Sequence, residues 1–135
     1  MVAASAETAP ELAAKTLANN AAEQIKKNGV DAACKTFADP NGGFIEGELY
    51  VFVHDMNAKM ICHAANPKLN GKDLLELKDA DGKYFEKTIV ETIKSKGSGW
   101  VDYRWINPTT HEIQAKSTYV ESVNNVIIGV GIYKK

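Results

Sequence analysis

EIQAKSTYVESVNNVIIGVGIY, residues 112–133, alternates apolar and polar side chains on both sides of Ser122-Val123-Asn124-Asn125. A period of two belongs to a strand with one buried face, and asparagines between two such runs are turn chemistry. Pairing residue 121 with 126 sets Lys116 opposite Gly131 and Thr118 opposite Gly129. A third run near 99–106 precedes Asn107-Pro108-Thr109-Thr110. Pairing 106 with 111 puts Trp105 opposite Glu112, Tyr103 opposite Gln114 and Val101 opposite Lys116. One face of these three strands then carries Tyr103, Trp105, Lys116 and the two glycines. The other carries Ile113, Ala115, Tyr119, Ile128, Val130 and Ile132, an apolar bed for a helix.

Upstream, YVFVHDMNAKMICH at 50–63 reads as a hairpin, strands 48–54 and 59–65 around Asp55-Met56-Asn57-Ala58. Pairing 54 with 59 gives Tyr50, Phe52, Ile61 and His63 one face and Val51, Val53 and Cys62 the other. Thr8-Ala9-Pro10-Glu11 matches a capping box with proline in the first turn. Ala9, Leu12, Ala13, Leu17, Ala21 and Ile25 follow at three- and four-residue spacing, so a helix of about twenty residues runs to Asn28-Gly29. Residues 30–37 add a short second helix. Tyr84, Phe85, Thr88, Ile89, Thr92 and Ile93 suit a third over 83–96, closed by Gly97. These elements predict an α+β fold: one five-stranded antiparallel sheet, the long N-terminal helix on one face, and 66–98 covering the other. Residues 8–135 form the single domain and 1–7 a flexible tail.

The 135 residues are 44% hydrophobic and 24% charged, with a net charge of −1. That balance lacks the basic patch that nucleic acid requires, and no stretch approaches a membrane span. VAASA at 2–6 resembles the small-residue tail of a signal-peptide cleavage site, which implies export to the periplasm. The alternative is an alanine-rich lead-in to the first helix. Cys34 and Cys62 fit one disulfide in an exported chain or two buried thiols in a cytosolic one. Their spacing suits neither a zinc nor a haem motif, and no cofactor is expected. Cys62 and His63 are adjacent in a strand and point to opposite faces, so they cannot form a nucleophile–base pair. Nucleotide and hydrolase motifs are missing too, and the acidic residues Glu76, Asp79 and Asp81 read as a turn beside a helix start. The chain is not expected to be an enzyme.

A lysine between two aromatics, with side-chain volume missing opposite, is a cradle for a small anion. Plainer readings exist for each residue. Lys116 can be a surface residue with a buried stem, Tyr103 and Trp105 sheet-packing aromatics, and His63 a hydrogen-bonded structural histidine. His54 and His111 are expected at the surface.

The first strand ending in aspartate, the His-x-x-x-Pro stretch and the Gly-Lys-Asp and Asp-x-x-Gly-Lys turns form a recognisable set. So do Tyr-x-Trp, Lys-x-x-Tyr-Val and the closing Gly-x-Gly-x-Tyr. Over residues 10–133 the chain resembles the single Cache domain family, type 2, PAS-like extracytoplasmic sensors of bacterial chemoreceptors and histidine kinases. The resemblance implies a ligand pocket on the sheet face opposite the long helix. There a C2–C4 carboxylate such as acetate, propionate, pyruvate or lactate is bound without chemistry. It implies Lys116, Tyr103 and Trp105 as pocket residues, His63 as a polar partner, and Phe52 and Phe85 as apolar walls. It also makes a Cys34–Cys62 disulfide conceivable, and a membrane receptor or kinase the partner. An excised ectodomain, a freestanding periplasmic delivery or interaction module, and a homodimer through the N-terminal helix are compatible alternatives.

Three positions depart from the family pattern. His54 stands where an aromatic usually precedes the aspartate. Gln114-Ala115 precede Lys116 where proline is common. Arg104 is either surface decoration or, in a slipped register, a bidentate anion clamp.

Overall fold

Thr8 starts the first helix as the sequence requires: its hydroxyl accepts the Glu11 N–H, and the Glu11 carboxylate accepts the Thr8 N–H at 2.8 Å. The structure, a computed structural model, describes residues 7–134, so the tail expected at 1–7 lies almost wholly outside the described residues. Helix α1 (Ala9–Asn28) buries Ala14, Ala18, Ala21, Ala22 and Ile25. Helix α2 (Val30–Ala38) buries Ala33 and Phe37. The strands are β1 (Val51–Asp55), β2 (Met60–His63), β3 (Ser98–Ile106), β4 (Ile113–Val123) and β5 (Val126–Tyr133), with α3 (Phe85–Lys96) between β2 and β3. They form one antiparallel sheet in the order β2-β1-β5-β4-β3.

Two cores lie on the two faces of this sheet. On one, α1 and α2 cover Val51, Val53, Tyr119, Ile128 and Val130. On the other, α3 and the segment before it cover Tyr50, Phe52, Val101, Tyr103, Val120 and Ile127. Because β1 pairs with β5, the N-terminal hairpin sits beside the C-terminal one, and the chain crosses the second face to reach β3. The outer edge of β2 is covered as well: Met60 N–H donates to the Lys72 carbonyl at 2.9 Å, and Gly71 N–H to the Met60 carbonyl at 2.7 Å.

Each hairpin differs in register from the expected pairing. The β4–β5 turn holds only Asn124 and Asn125, both at positive φ, so Val123 pairs with Val126 and Lys116 faces Tyr133. The β3–β4 connection is six residues, closed by Asn107 N–H on the Glu112 carbonyl at 2.8 Å, so Tyr103 faces Lys116. Both slips are two residues, and the faces survive. In β1–β2 an irregularity after Val53 moves Ile61 to the helix-covered face and sets Met60 on the other. Ile113 and Ala115 do not join the bed under α1. Ile113 pairs with Ile106 at the outer end of the sheet and is 58% exposed. The alanine face of α1 is taken up by the sheet, so a homodimer through α1 would use the helix's other side.

Cys34 and Cys62 form a disulfide with Cα atoms 6.0 Å apart, tying α2 to β2. It closes a loop of 28 residues, which in the chain-entropy account stabilises by roughly 3–4 kcal/mol. Replacing both cysteines by alanine lowers the melting temperature by roughly 10 °C in calorimetry. A reducing agent moves the wild type to the same value, and an unchanged transition in both contradicts the bridge.

Candidate functional site

Lys116 lies near the start of β4 on the face under α3, where burial leaves it 1% exposed. Its stem crosses β5 where residue 131 has no side chain: a methyl group there would collide with Lys116 Cε and Thr118 Oγ1. One strand pair away, Phe52 fills the space over Gly129 in the same manner. The glycines therefore make room for the protein's own lysine and phenylalanine. They are not an open cradle for an anion, as the sequence suggested.

The ammonium sits among four rings. Its Nζ is 4.4 Å from the Tyr50 centroid, 5.2 Å from Tyr133, 5.6 Å from Phe52 and 5.8 Å from Tyr103. Nζ donates to the Tyr50 hydroxyl at 2.7 Å. Tyr133 spends its own hydrogen on the Ile106 carbonyl at 2.8 Å, so Tyr50 donates to Tyr133 across 3.3 Å. This chain of donors runs away from the lysine and ends on backbone. Burial raises both phenols, Tyr133 to about 12, so neither supplies a counter-charge. None of the ion pairs among the described residues involves Lys116. Burial consequently pulls its ammonium down to about 7, with the charge of Glu86 working against that pull.

The other expected residues gather beside it. Phe85, from the first turn of α3, stacks on Tyr103 at 4.4 Å and packs against Trp105 at 5.4 Å. Phe52 stacks on His63 at 5.9 Å. His63 Nδ1 accepts the Asn66 N–H at 2.9 Å, which leaves the hydrogen of the neutral ring on Nε2. Burial, then the nearby Lys116 charge, lowers His63 to about 3, so it stays a neutral donor. The Tyr103 oxygen accepts from Thr118 at 3.0 Å, leaving its own hydrogen to give.

Phe52, His63, Phe85, Tyr103 and Trp105 line a cavity of about 10 Å³, together with Met60, Leu74 and Glu86. That is room for about one water. A surface groove of about 240 Å³, lined by Tyr50, His63, Trp105 and His111 among others, shares His63 and Trp105 with it. Those two residues are common to the linings of both. Five of the six expected site residues line the cavity, and Lys116 lies against its Phe52 and Tyr103 walls.

Several participants went unrecognised in the sequence. Tyr50 shares the face of Phe52 by simple alternation. Tyr133 comes opposite Lys116 only in the true register. Glu86 lies on the buried stripe of α3, three residues before Ile89 and seven before Ile93. His54 is fully buried instead of exposed, because β1 is flanked by β2 and β5 and covered by α3. His111 is exposed at the groove, as expected. Arg104 is no clamp: its Nε pairs with Asp81 at 3.1 Å, while its backbone N–H meets Asp79 at 3.0 Å. Asp79 also accepts from the Asp81 and Lys83 N–H groups, so the acidic cluster is turn structure. Among the described residues no His, Cys, Asp or Glu cluster could hold a metal.

Similarity to known proteins agrees with this geometry. The model of the Cache domain family matches residues 3–135. The methyl-accepting chemotaxis protein McpP of Pseudomonas putida is 37% identical over 86 residues, covering 62% of this chain and 16% of the receptor. The matched segment therefore spans about a sixth of that relative's length. A periplasmic sensor domain of a chemotaxis protein superposes with a TM-score of 0.73 at 26% identity, covering 92% of this chain and 90% of the other. A Cache chemosensory domain solved to explain carboxylic acid recognition gives 0.72 at 29% identity, covering 92% and 88%. The chain belongs to the Cache domain family, the non-catalytic, ligand-binding sensor domains of chemoreceptors and kinases.

Proposed function

We propose that this domain works outside the cytoplasm as the sensor of a C2–C4 carboxylate, in the manner of acetate, propionate, pyruvate or lactate recognition. One observation carries the reading: Lys116 is a buried amine held among neutral rings, and among the described residues no anion is paired to it. A carboxylate supplies the missing charge where water is excluded and the attraction is strong. Tyr103 and His63 donate to its oxygens, and Trp105, Phe52 and Phe85 limit its size. Similarity to a domain solved for carboxylic acid recognition supports the same class. Because the cavity is about 10 Å³, entry of the ligand requires its walls to spread. The greater length of the matched receptor supports a membrane receptor or kinase as the element that hears the signal. Among the described residues no helix is long and apolar enough to cross a membrane.

Thermal unfolding of refolded, ligand-stripped protein against small carboxylates tests this. A ligand at a hundred times its dissociation constant adds about 2.7 kcal/mol, a shift of several degrees. Lys116→Met abolishes the shift, and its ligand-free form melts no lower than wild type at pH 7, since a desolvated cation has been removed. A shift that survives in Lys116→Met overturns the assignment.

The pH dependence follows from the lowered Lys116. Above pH 7 a growing share of the free protein carries neutral lysine, so binding an anion must take up a proton. The dissociation constant rises about fivefold from pH 7 to 8 and approaches about tenfold per unit above that, and a flat profile in calorimetric titrations contradicts the role. Over the same range the unfolded chain, with lysine at its ordinary 10.5, holds more protons than the native one. Unliganded wild type therefore gains stability relative to Lys116→Met as pH rises.

A further inference from the structure

His54 and Glu86 are two buried polar residues that the carboxylate reading does not use. Glu86 is 1% exposed, and its carboxyl lines the cavity that Phe52, Phe85, Tyr103 and His63 also line. Among the described residues its Oε2 has no hydrogen-bond partner. His54 Nε2 lies 3.4 Å away, near enough for an ion pair but not in hydrogen-bond geometry, and among the described residues it too is unpartnered. His54 Nδ1 donates to the Asp55 carbonyl at 2.8 Å, so in the neutral ring Nε2 offers a lone pair. Burial keeps that ring neutral and pushes the Glu86 carboxyl up to about 8, Lys116 pulling the other way. Glu86 therefore carries its proton at neutral pH, and no charged pair forms.

Buried unpaired polar atoms cost stability, and two adjacent ones beside a cavity point to a group that arrives from outside. Between them His54 and Glu86 offer one hydrogen to give and lone pairs to receive one. An alcohol matches both demands; a plain acid matches neither, and an oxo group only accepts. The existing void is the size of one oxygen with its hydrogen. We propose that Glu86, backed by His54, forms a second polar subsite that receives a hydroxyl of the ligand, so that this domain prefers a small hydroxy acid to the matching plain acid. The inference rests on Lys116 holding the carboxylate.

Calorimetric titration with three compounds on one carbon skeleton separates the two claims: propionate, lactate and alanine. Wild type binds lactate about tenfold more tightly than propionate, the effect of one hydrogen bond to a buried group. Glu86→Met brings the lactate-to-propionate affinity ratio from about ten down to about one. Glu86→Gln, which keeps a donor and an acceptor at the same reach, retains the preference. Equal wild-type affinities for propionate and lactate overturn the subsite while leaving the carboxylate reading intact, and this comparison needs no variant to fold. Tightest binding of alanine overturns it in favour of an ionised Glu86 meeting an ammonium. Equal loss of both acids in Glu86→Met, or loss of the preference in Glu86→Gln, also overturns it. If neither propionate nor lactate binds wild type, the carboxylate reading falls and the subsite with it.

Discussion

An ammonium inside a protein loses the water that stabilised it, and the loss is made good only by hydrogen bonds, aromatic faces or an anion. Lys116 has the first two. Tyr50 accepts one of its hydrogens, and four rings turn their faces or edges toward it. The anion is the part the fold does not supply. Much of the surrounding structure follows from holding this group in place: Gly131 lets the stem cross β5, Tyr133 orients Tyr50, and α3 closes the face above.

The order of strands decides why such a site stands where it does. With β5 central, the glycines at 129 and 131 sit between β1 and β4, the two strands that carry Phe52 and Lys116. The opposite face is filled by a helix of mostly alanine contacts and locked by the Cys34–Cys62 bridge. The disulfide anchors the residue next to His63, so the rigid face of the sheet positions the wall of the cavity on the other.

Much of this was legible in residue order. The capping box at Thr8 and the period change near residue 48 marked the elements, and alternation put Tyr103, Trp105 and Lys116 on one face of the C-terminal strands and Phe52 and His63 on one face of the first hairpin. Turn lengths were misjudged at both C-terminal hairpins, but each by two residues, and a slip of two leaves every side chain on its own face. The odd slip at β1–β2 cost one assignment, Ile61. Other features were not legible, because they depend on which strands become neighbours. Phe52 meets Gly129 only because β1 pairs with β5, and no local pattern encodes that pairing. His54 looked like a residue at a strand end beside an aspartate, whereas its burial comes from α3. Glu86 fits the helical stripe, yet a carboxyl in a first turn reads as a helix-start charge until the cavity beneath it is seen.

The central claim, that Lys116 is a buried cation awaiting an anion, is tested most directly by NMR titration of its side chain, assigned by the signal that Lys116→Met removes. In the ligand-free protein the account predicts a midpoint near 7, well below the ordinary 10.5, with a rise of at least about two units when a bound carboxylate pairs with the ammonium. A midpoint near 10.5 with and without the acid would place the lysine in water and contradict the account.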